Sequence, residues 1–193
     1  MTTLSPLGQL QLWLEEATRA GLEDADAMVL ATATRIGTPS ARVVSCRGID
    51  EEGIRFFTNY ESRKASELSV NPSAALVFFW PTFRRQVRVE GAVTVLPAAE
   101  SDAYFQSRPR GRQLAAWASP QSRPIASLDE VRRRANELAH EHEGREIPRP
   151  PFWGGFLLRP NAIELWIGGE DRLHERRLFV LAGGSWIESC LGP

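Results

Sequence analysis

Arg172, His174 and Arg176 fall at alternate positions shortly after the glycine pair Gly168-Gly169. Side chains alternate across an extended backbone, so residues two apart share a face. Two guanidiniums and an imidazole on one side of a glycine-presented segment suit an anionic ligand, because guanidinium makes paired, charge-assisted hydrogen bonds to phosphate or carboxylate. A solvated basic edge strand would carry the same pattern. Further up the chain, Tyr104, Arg108 and Arg112 are spaced by four across a predicted helix end. With Arg47 they would form a second cationic pocket that also holds a phenolic donor; the alternative is a basic surface loop. Ser62-Arg63-Lys64 opens a predicted helix, where backbone N–H groups and two cations make a phosphate site, although such a triplet is commonplace on solvated faces. Arg42, followed by the apolar Val43 and Val44, is either a snorkelling surface residue or a buried anion ligand. Gln121-Ser122 offers neutral hydrogen bonds for a phosphate oxygen or a polar ring edge.

These groups need elements to hold them. Residues 6–20 read as a helix, with Leu7, Leu10, Leu14 and Ala17 on one apolar stripe and Gly21 as its stop. Residues 27–33 are apolar and strand-like, and the turn Ile36-Gly37-Thr38-Pro39 joins them to an extended stretch over 40–47, which makes a hairpin. A strand over 54–58 follows Gly53, and residues 61–69 suit a helix capped by Ser62 and ended by Asn71-Pro72. Residues 74–79 read as a buried strand. Residues 84–96 read as a long one, alternating through Val87, Val89, Val93 and Val95 with a bulge at Gly91.

The middle of the chain changes character. A helix over 97–106 precedes a basic turn at 107–112, a helical turn at 113–119 and a charged amphipathic helix over 128–143. Pro148-Arg149-Pro150-Pro151 is a stiff connection, and strands resume over 155–158, 162–167, 178–181 and 186–190. Many antiparallel-looking strands with helices inserted late predict an α+β protein, mainly β, built on a β-barrel rather than a doubly wound sheet. The 193 residues suit one domain, 1–193, with an N-terminal helix (1–21) and a helical insertion (98–145).

Composition narrows the function classes. Lys+Arg 23 against Asp+Glu 24 leaves a net charge of -1, which argues against a dedicated nucleic-acid binder. No apolar run approaches the roughly 20 residues of a membrane span, and the N-terminus lacks the pattern of a signal peptide. Cys46 and Cys190 stand alone without metal-ligand spacing, so a reducing cytoplasm fits best. Cys46 reads as a buried strand thiol rather than a nucleophile. His140 and His142 are two apart on a predicted helix and do not face each other, so no metal site is expected. Phosphate-loop, dinucleotide, zinc-protease and serine-hydrolase motifs are all missing.

Seven short blocks then take on meaning together. They are Ala41-Arg42-Val43-Val44; Phe57-Thr58-Asn59 with Ser62-Arg63-Lys64; Arg85-Gln86-Val87; Tyr104-Phe105 with Ser107-Arg108-Pro109-Arg110; Ala116-Trp117-Ala118-Ser119 with Gln121-Ser122; Phe152-Trp153-Gly154-Gly155; and Glu164-Leu165-Trp166 with Gly169-Glu170 and Arg172-Leu173-His174. Their order and spacing resemble the pyridoxamine 5′-phosphate oxidase family of flavoproteins over nearly the whole chain. The resemblance implies a split β-barrel with peripheral helices, forming a homodimer that binds FMN in two clefts at the subunit interface. By motif position, Arg42, with Val43 and Val44 beside it, Arg63, Lys64, Gln121 and Ser122 would hold the FMN phosphate and ribityl chain. Phe57, Thr58, Gln86, Trp166 and Arg176 would line the rest of the flavin. The implied reaction oxidises pyridoxine 5′-phosphate or pyridoxamine 5′-phosphate to pyridoxal 5′-phosphate, with dioxygen as acceptor and hydrogen peroxide as product. Arg47, Tyr104, Arg108 and Arg112 would hold the substrate phosphate. Arg172 and His174, the implied catalytic pair, would cover the pyridine ring and position the reacting carbon.

Three departures from the family pattern stand out. Arg47 replaces a lysine, Arg112 replaces a small hydroxyl residue, and the chain ends Cys190-Leu191-Gly192-Pro193 where the family has Arg-Leu-x-Pro. The first two keep or raise positive charge, but arginine for lysine is not a neutral exchange. Two alternatives remain beside the vitamin B6 oxidase: a related flavin oxidase of the phenazine-biosynthesis type, and a non-catalytic protein that binds FMN or pyridoxal phosphate.

Overall fold

The computed structural model describes residues 4–193. Helix α1 (Pro6–Arg19) starts where the Ser5 hydroxyl accepts a hydrogen bond from the Gly8 amide at 3.0 Å, with Pro6 in the first turn, where a missing N–H costs nothing. Its buried face is Leu7, Leu10, Trp13 and Ala17, and Leu14 is only partly buried. Trp13 therefore takes the place expected of Leu14, and the Arg85 guanidinium lies 4.8 Å over its ring.

Nine strands follow: β1 (Ala27–Ala33), β2 (Pro39–Ser45), β3 (Gly48–Asp50), β4 (Gly53–Asn59), β5 (Ser73–Trp80), β6 (Arg85–Val95), β7 (Trp153–Ile167), β8 (Glu175–Ala182) and β9 (Ser185–Cys190). All pair antiparallel in one sheet of order β2-β1-β5-β6-β7-β4-β3, with β8 joined to β7 and β9 to β8. The pivot is β7. Residues 153–158 pair with β4, residues 162–167 pair with β8, and β6 runs along both. The two strands expected over 155–158 and 162–167 are thus one strand that changes partner midway. At that point β6 shifts register between Glu90 and Gly91. A Cβ on Gly91 would lie 2.1 Å from the Arg159 carbonyl oxygen, so only glycine admits the close approach.

The alternation expected in β6 fails at Val95, which is 61% exposed at the strand's end, but holds before it: Arg88, Glu90 and Thr94 face outward, and Val87, Val89 and Val93 are buried. With Leu30, Phe56, Phe78, Leu158 and Ile163 they form the main core beneath α1 and α2 (Arg63–Val70). A second cluster holds Phe105, Leu114, Leu138, Ile147 and Trp153, where α3 (Ala98–Ser107), α4 (Arg110–Ala118) and α5 (Leu128–Glu141) meet the start of β7. Here α4 begins earlier than expected. Pro109 stands just before its first turn with φ -52°, so Arg110 and Arg112 are helical and the basic turn shrinks to the break between α3 and α4. The three-residue β3 was not expected at all.

Two glycines position the cavity wall. A Cβ on Gly154 would lie 2.1 Å from the Tyr60 hydroxyl, and one on Gly155 would lie 2.6 Å from the Phe57 ring. Their absence lets both rings lie against β7. The expectation of an extended run through Arg172 fails. Residues 170–172 form a 3-10 turn in which Asp171 and Arg172 have φ 49° and 64°, and β8 begins only at Glu175. Left-handed backbone costs a non-glycine residue about 1–2 kcal/mol, so this turn is held by its surroundings. The Leu173 carbonyl would sit 1.8 Å from a Cβ on Gly169, which explains the glycine.

Candidate functional site

A cavity of about 580 Å³ opens between β2, the end of β4, the start of α2 and the α3–α4 break. It lies within the size range of cofactor sites. Arg42, Val43, Val44, Arg47, Phe57, Thr58, Arg63, Lys64, Tyr104, Arg108, Arg112, Gln121 and Ser122 all line it, and Trp153 joins them. Thirteen of the residues singled out from the sequence thus meet around one space. Six of its lining side chains are cationic and none is a carboxylate. Such a field selects anions.

At one end, Lys64 is buried. Its ammonium donates to Thr58 Oγ1 at 3.0 Å, Ser62 Oγ at 3.2 Å and Gln121 Oε1 at 3.2 Å. All three partners are neutral, so the buried charge has no counterion. Burial first, and then the positive charge of Arg42, lower the Lys64 pKa to about 8. Ser62 occupies the N-cap of α2 as expected, but its hydroxyl serves Lys64 and makes no capping bond to the helix. Arg63 stands beside it with its side chain 59% exposed.

Arg42 answers the question left open by its neighbours. Its guanidinium donates to Leu30 O at 3.1 Å and Thr32 Oγ1 at 2.6 Å, and also contacts Ser40 Oγ and Glu67 Oε2. It is a partly buried strut at the cavity edge, and most of its donors are already satisfied. Glu67, which the sequence reading missed, gathers this corner. It is 5% exposed and accepts from Ser40 at 2.6 Å, from Thr32 and from Arg63 Nε at 2.8 Å. Burial pushes its carboxyl up, but these hydrogen bonds and the Arg63 charge outweigh burial and hold its pKa at about 2. The i,i+4 spacing of Arg63 and Glu67 on a helix was the available signal.

The Lys64 environment sets a pH dependence. The protonated amine is the form that attracts phosphate. Contact with phosphate raises its pKa above the value of about 8 in the free protein. Affinity for FMN, the cofactor implied by the resemblance, is therefore expected to be flat from about pH 6, the second pKa of a phosphate monoester, up to pH 8. Above it, affinity should fall by up to about tenfold per pH unit until the bound-state pKa is reached. Lys64 is the only lysine in the chain. Carbon-13 lysine labelling therefore gives one side-chain signal whose titration, with and without FMN, reads both pKa values. Coincident titrations would refute the assignment.

The other end is built on aromatic stacking. Phe57 and Tyr104 stack with centroids 3.9 Å apart, and Trp153 lies 6.2 Å from Tyr104 at an interplanar angle of 9°. The Arg108 guanidinium sits 4.6 Å over Trp153. Its Nη1 is buried without a hydrogen-bond partner. Burial presses the Arg108 pKa down, as do Arg112 and Arg47, against an opposing pull from Tyr104. Arginine does not deprotonate in proteins, so the site carries a charge penalty that an anion would relieve. Arg47 is different, because it is paired with Asp26 at 2.5 Å. The Cys46 thiol next to it is buried, and burial raises its pKa to about 11, so it is no thiolate nucleophile.

Five expected site residues do not line this cavity. Gln86, Trp166 and Arg176 form one row across β6, β7 and β8, paired Gln86 to Trp166 and Trp166 to Arg176. Arg176 Nε donates to the buried Glu164 at 2.8 Å. His174 packs on Trp166 at 4.7 Å, and its Nδ1 accepts the Gly169 amide at 3.2 Å, which leaves the ring proton of the neutral form on Nε2. Arg172 is exposed on the turn beside it. The expected site residues therefore fall in two groups, thirteen around the cavity and five outside it.

The family model described as Pyridoxamine 5′-phosphate oxidase matches residues 14–141, and that described as Pyridoxine 5′-phosphate oxidase C-terminal dimerisation region matches residues 153–193. A pyridoxine/pyridoxamine 5′-phosphate oxidase of Rubrobacter xylanophilus is 53% identical over 188 residues, covering 97% of this chain and 87% of its own length. One from Salinibacter ruber is 48% identical over 194 residues, covering 99% and 90%. Among solved structures, PhzG from Burkholderia lata, in complex with tetrahydrophenazine-1-carboxylic acid, superposes with a TM-score of 0.94 at 32% identity, over 100% of this chain and 94% of its own. A pyridoxamine 5′-phosphate oxidase-related, FMN-binding protein from Nostoc punctiforme has the same fold, with a TM-score of 0.79 at 21% identity over 100% of both chains. With both halves of the chain matched and relatives near half identity along its whole length, this protein belongs to the pyridoxamine 5′-phosphate oxidase family.

Proposed function

We propose that this protein is an FMN-dependent oxidase that converts pyridoxamine 5′-phosphate or pyridoxine 5′-phosphate to pyridoxal 5′-phosphate. For the amine, substrate, water and dioxygen give the aldehyde, ammonia and hydrogen peroxide. The observation that carries this reading is the cavity with two cationic ends and no carboxylate. One end has a buried ammonium without a counterion. The other has a buried guanidinium nitrogen without a partner. Each end fits a phosphate monoester, one on the cofactor and one on the substrate. The names of the relatives support the same reaction.

The residues present fit FMN. Lys64, Arg63, Gln121 and Ser122 would hold its phosphate, with Arg42 and Glu67 bracing that corner and Val43, Val44, Phe57 and Thr58 along the wall. Bound FMN supplies the redox chemistry, accepting two electrons from the substrate and yielding them to dioxygen. Tyr104, Arg108 and Arg112 would hold the substrate phosphate, and the Phe57–Tyr104–Trp153 stack would exclude water beside it. The second group of expected residues would then come from another subunit. A homodimer would bring Gln86, Trp166 and Arg176 of one chain to the cavity of the other, in keeping with a C-terminal segment of the dimerisation type. Arg172 and His174 would close over the ring. With Nδ1 tied to Gly169, neutral His174 offers Nε2–H, so it would donate a hydrogen bond to the substrate and hold the reacting carbon in place.

An aerobic assay of FMN-loaded protein with each phosphorylated vitamer tests this directly, with pyridoxal phosphate and hydrogen peroxide followed together. Equal amounts of both products are expected. A protein that retains flavin but oxidises neither vitamer would refute the reaction. Because PhzG was crystallised with a tricyclic acid, a reduced phenazine carboxylate is the substrate to try next in that event.

A further inference from the structure

We propose that Asp26 is a specificity-determining residue: by engaging Arg47 it withdraws one cation from the substrate-phosphate end and makes Arg112 the working ligand there. This rests on the functional reading above. Asp26 directly precedes β1, and the Cys46 amide donates to its carbonyl at 2.8 Å, one step beyond the β1–β2 ladder. The Arg47 amide donates to Arg55 O in β4 at 2.8 Å. Both backbones are anchored, so the Asp26–Arg47 contact at 2.5 Å is built into the sheet rather than a meeting of two loose side chains. Their side chains are 32% and 30% exposed, which leaves the pair partly sheltered from solvent. Among the described residues, neither has another ion-pair partner.

Arg112 is the opposite case. It projects from the first turn of α4, lines the cavity and makes no ion pair or side-chain hydrogen bond among the described residues. Arg47, Arg108 and Arg112 would present three positive charges, one more than a phosphate monoester carries near neutral pH. Asp26 removes the excess. Two departures from the family pattern thereby become one arrangement, in which a guanidinium held by a carboxylate at position 47 is offset by a free guanidinium at position 112.

The two positions should therefore be coupled. Pyridoxal 5′-phosphate and inorganic phosphate would be titrated against the FMN-loaded native protein, Asp26→Asn, Arg112→Ser and the double variant, alongside KM and kcat. Arg112→Ser is expected to weaken both ligands about tenfold or more with kcat little changed, the effect of losing one charge-assisted hydrogen bond. Asp26→Asn alone should tighten them by about threefold. In the double variant the released Arg47 should restore affinity to within about threefold of native, and unphosphorylated pyridoxal should be indifferent throughout. Asp26→Glu, which keeps the pair, should leave the Arg112→Ser defect in full. Equal losses from Arg112→Ser in both backgrounds, or weaker binding in Asp26→Asn, would overturn the proposal and leave Asp26 a purely structural anchor. The inorganic phosphate titration reads the coupling without turnover, so an inactive native protein would count against the oxidase reading and not against this one.

Discussion

Replacing Arg63 and Lys64 together by alanine is expected to strip the protein of FMN, with Kd rising roughly a hundred- to ten-thousand-fold. Each side chain would make a charge-assisted hydrogen bond to the cofactor phosphate, worth about 1.5–3 kcal/mol when its partner is desolvated. Lys64 is the stronger contributor, because its ammonium is already buried among neutral acceptors and gains most from an anion. Arg63 also braces Glu67, but Ser40, Thr32 and Arg42 remain to hold that carboxylate, so the fold should survive. Riboflavin lacks the phosphate and serves as the control. Fluorescence quenching of both flavins separates the outcomes: FMN affinity should collapse toward that of riboflavin, which should barely move. A parallel loss of both would mean that the pocket itself had been damaged. Undiminished FMN retention after dialysis would remove the phosphate-site assignment.

Arg108→Ala should have the second large effect, and at the other end of the cavity. The expected result is a fall of about a hundred- to a thousandfold in kcat/KM for the phosphorylated substrates, mostly through KM, with flavin content unchanged. The guanidinium sits 4.6 Å over the Trp153 ring with Nη1 buried and unpaired, so it is presented to an anion with little further ordering needed. Arg108→Lys should not rescue activity, because an ammonium neither stacks on the indole nor offers a planar fork. Removing a buried unpaired donor offsets some of the packing lost, so thermal stability should change little. Loss of flavin from Arg108→Ala would show that the two ends had been assigned the wrong way round.

The elements with strong local signals were legible in the chain. Val87, Val89 and Val93 alternate because β6 buries one face, and Gly91 marked its bulge because a backbone carbonyl passes where a Cβ would sit. Leu7, Leu10 and Ala17 marked α1 through helical spacing. Where the outcome depended on distant partners, the local pattern failed. The unbroken β7 looked like two strands because its continuity comes from β6, which pairs with residues 156–167 across the point where the other partner changes. The run starting at Arg172 looked extended because alternation in type does not exclude left-handed backbone at Arg172. Three residues of β3 are too few to show any period.

The site divides in the same way. Chain order and residue type by themselves determined which groups can bind anions: Arg63 and Lys64 at a helix start, the Tyr104–Arg108–Arg112 series, Gln121 and Ser122, and the Arg172–His174–Arg176 run. Only the tertiary structure decided which of those charges are available. Arg42 is consumed by Leu30, Thr32, Ser40 and Glu67, Arg47 by Asp26, and Arg176 by Glu164, while among the described residues Lys64 is buried without a counterion and the half-buried Arg108 keeps a buried, unpaired Nη1. It also placed the expected residues in two groups, one around the cavity beside β2 and one across β6, β7 and β8. The reason is physical: an ionisable side chain acts according to the neighbours and solvent around it. Strand register sets those neighbours by bringing together residues, such as Asp26 and Arg47 or Thr32 and Glu67, that lie far apart along the chain.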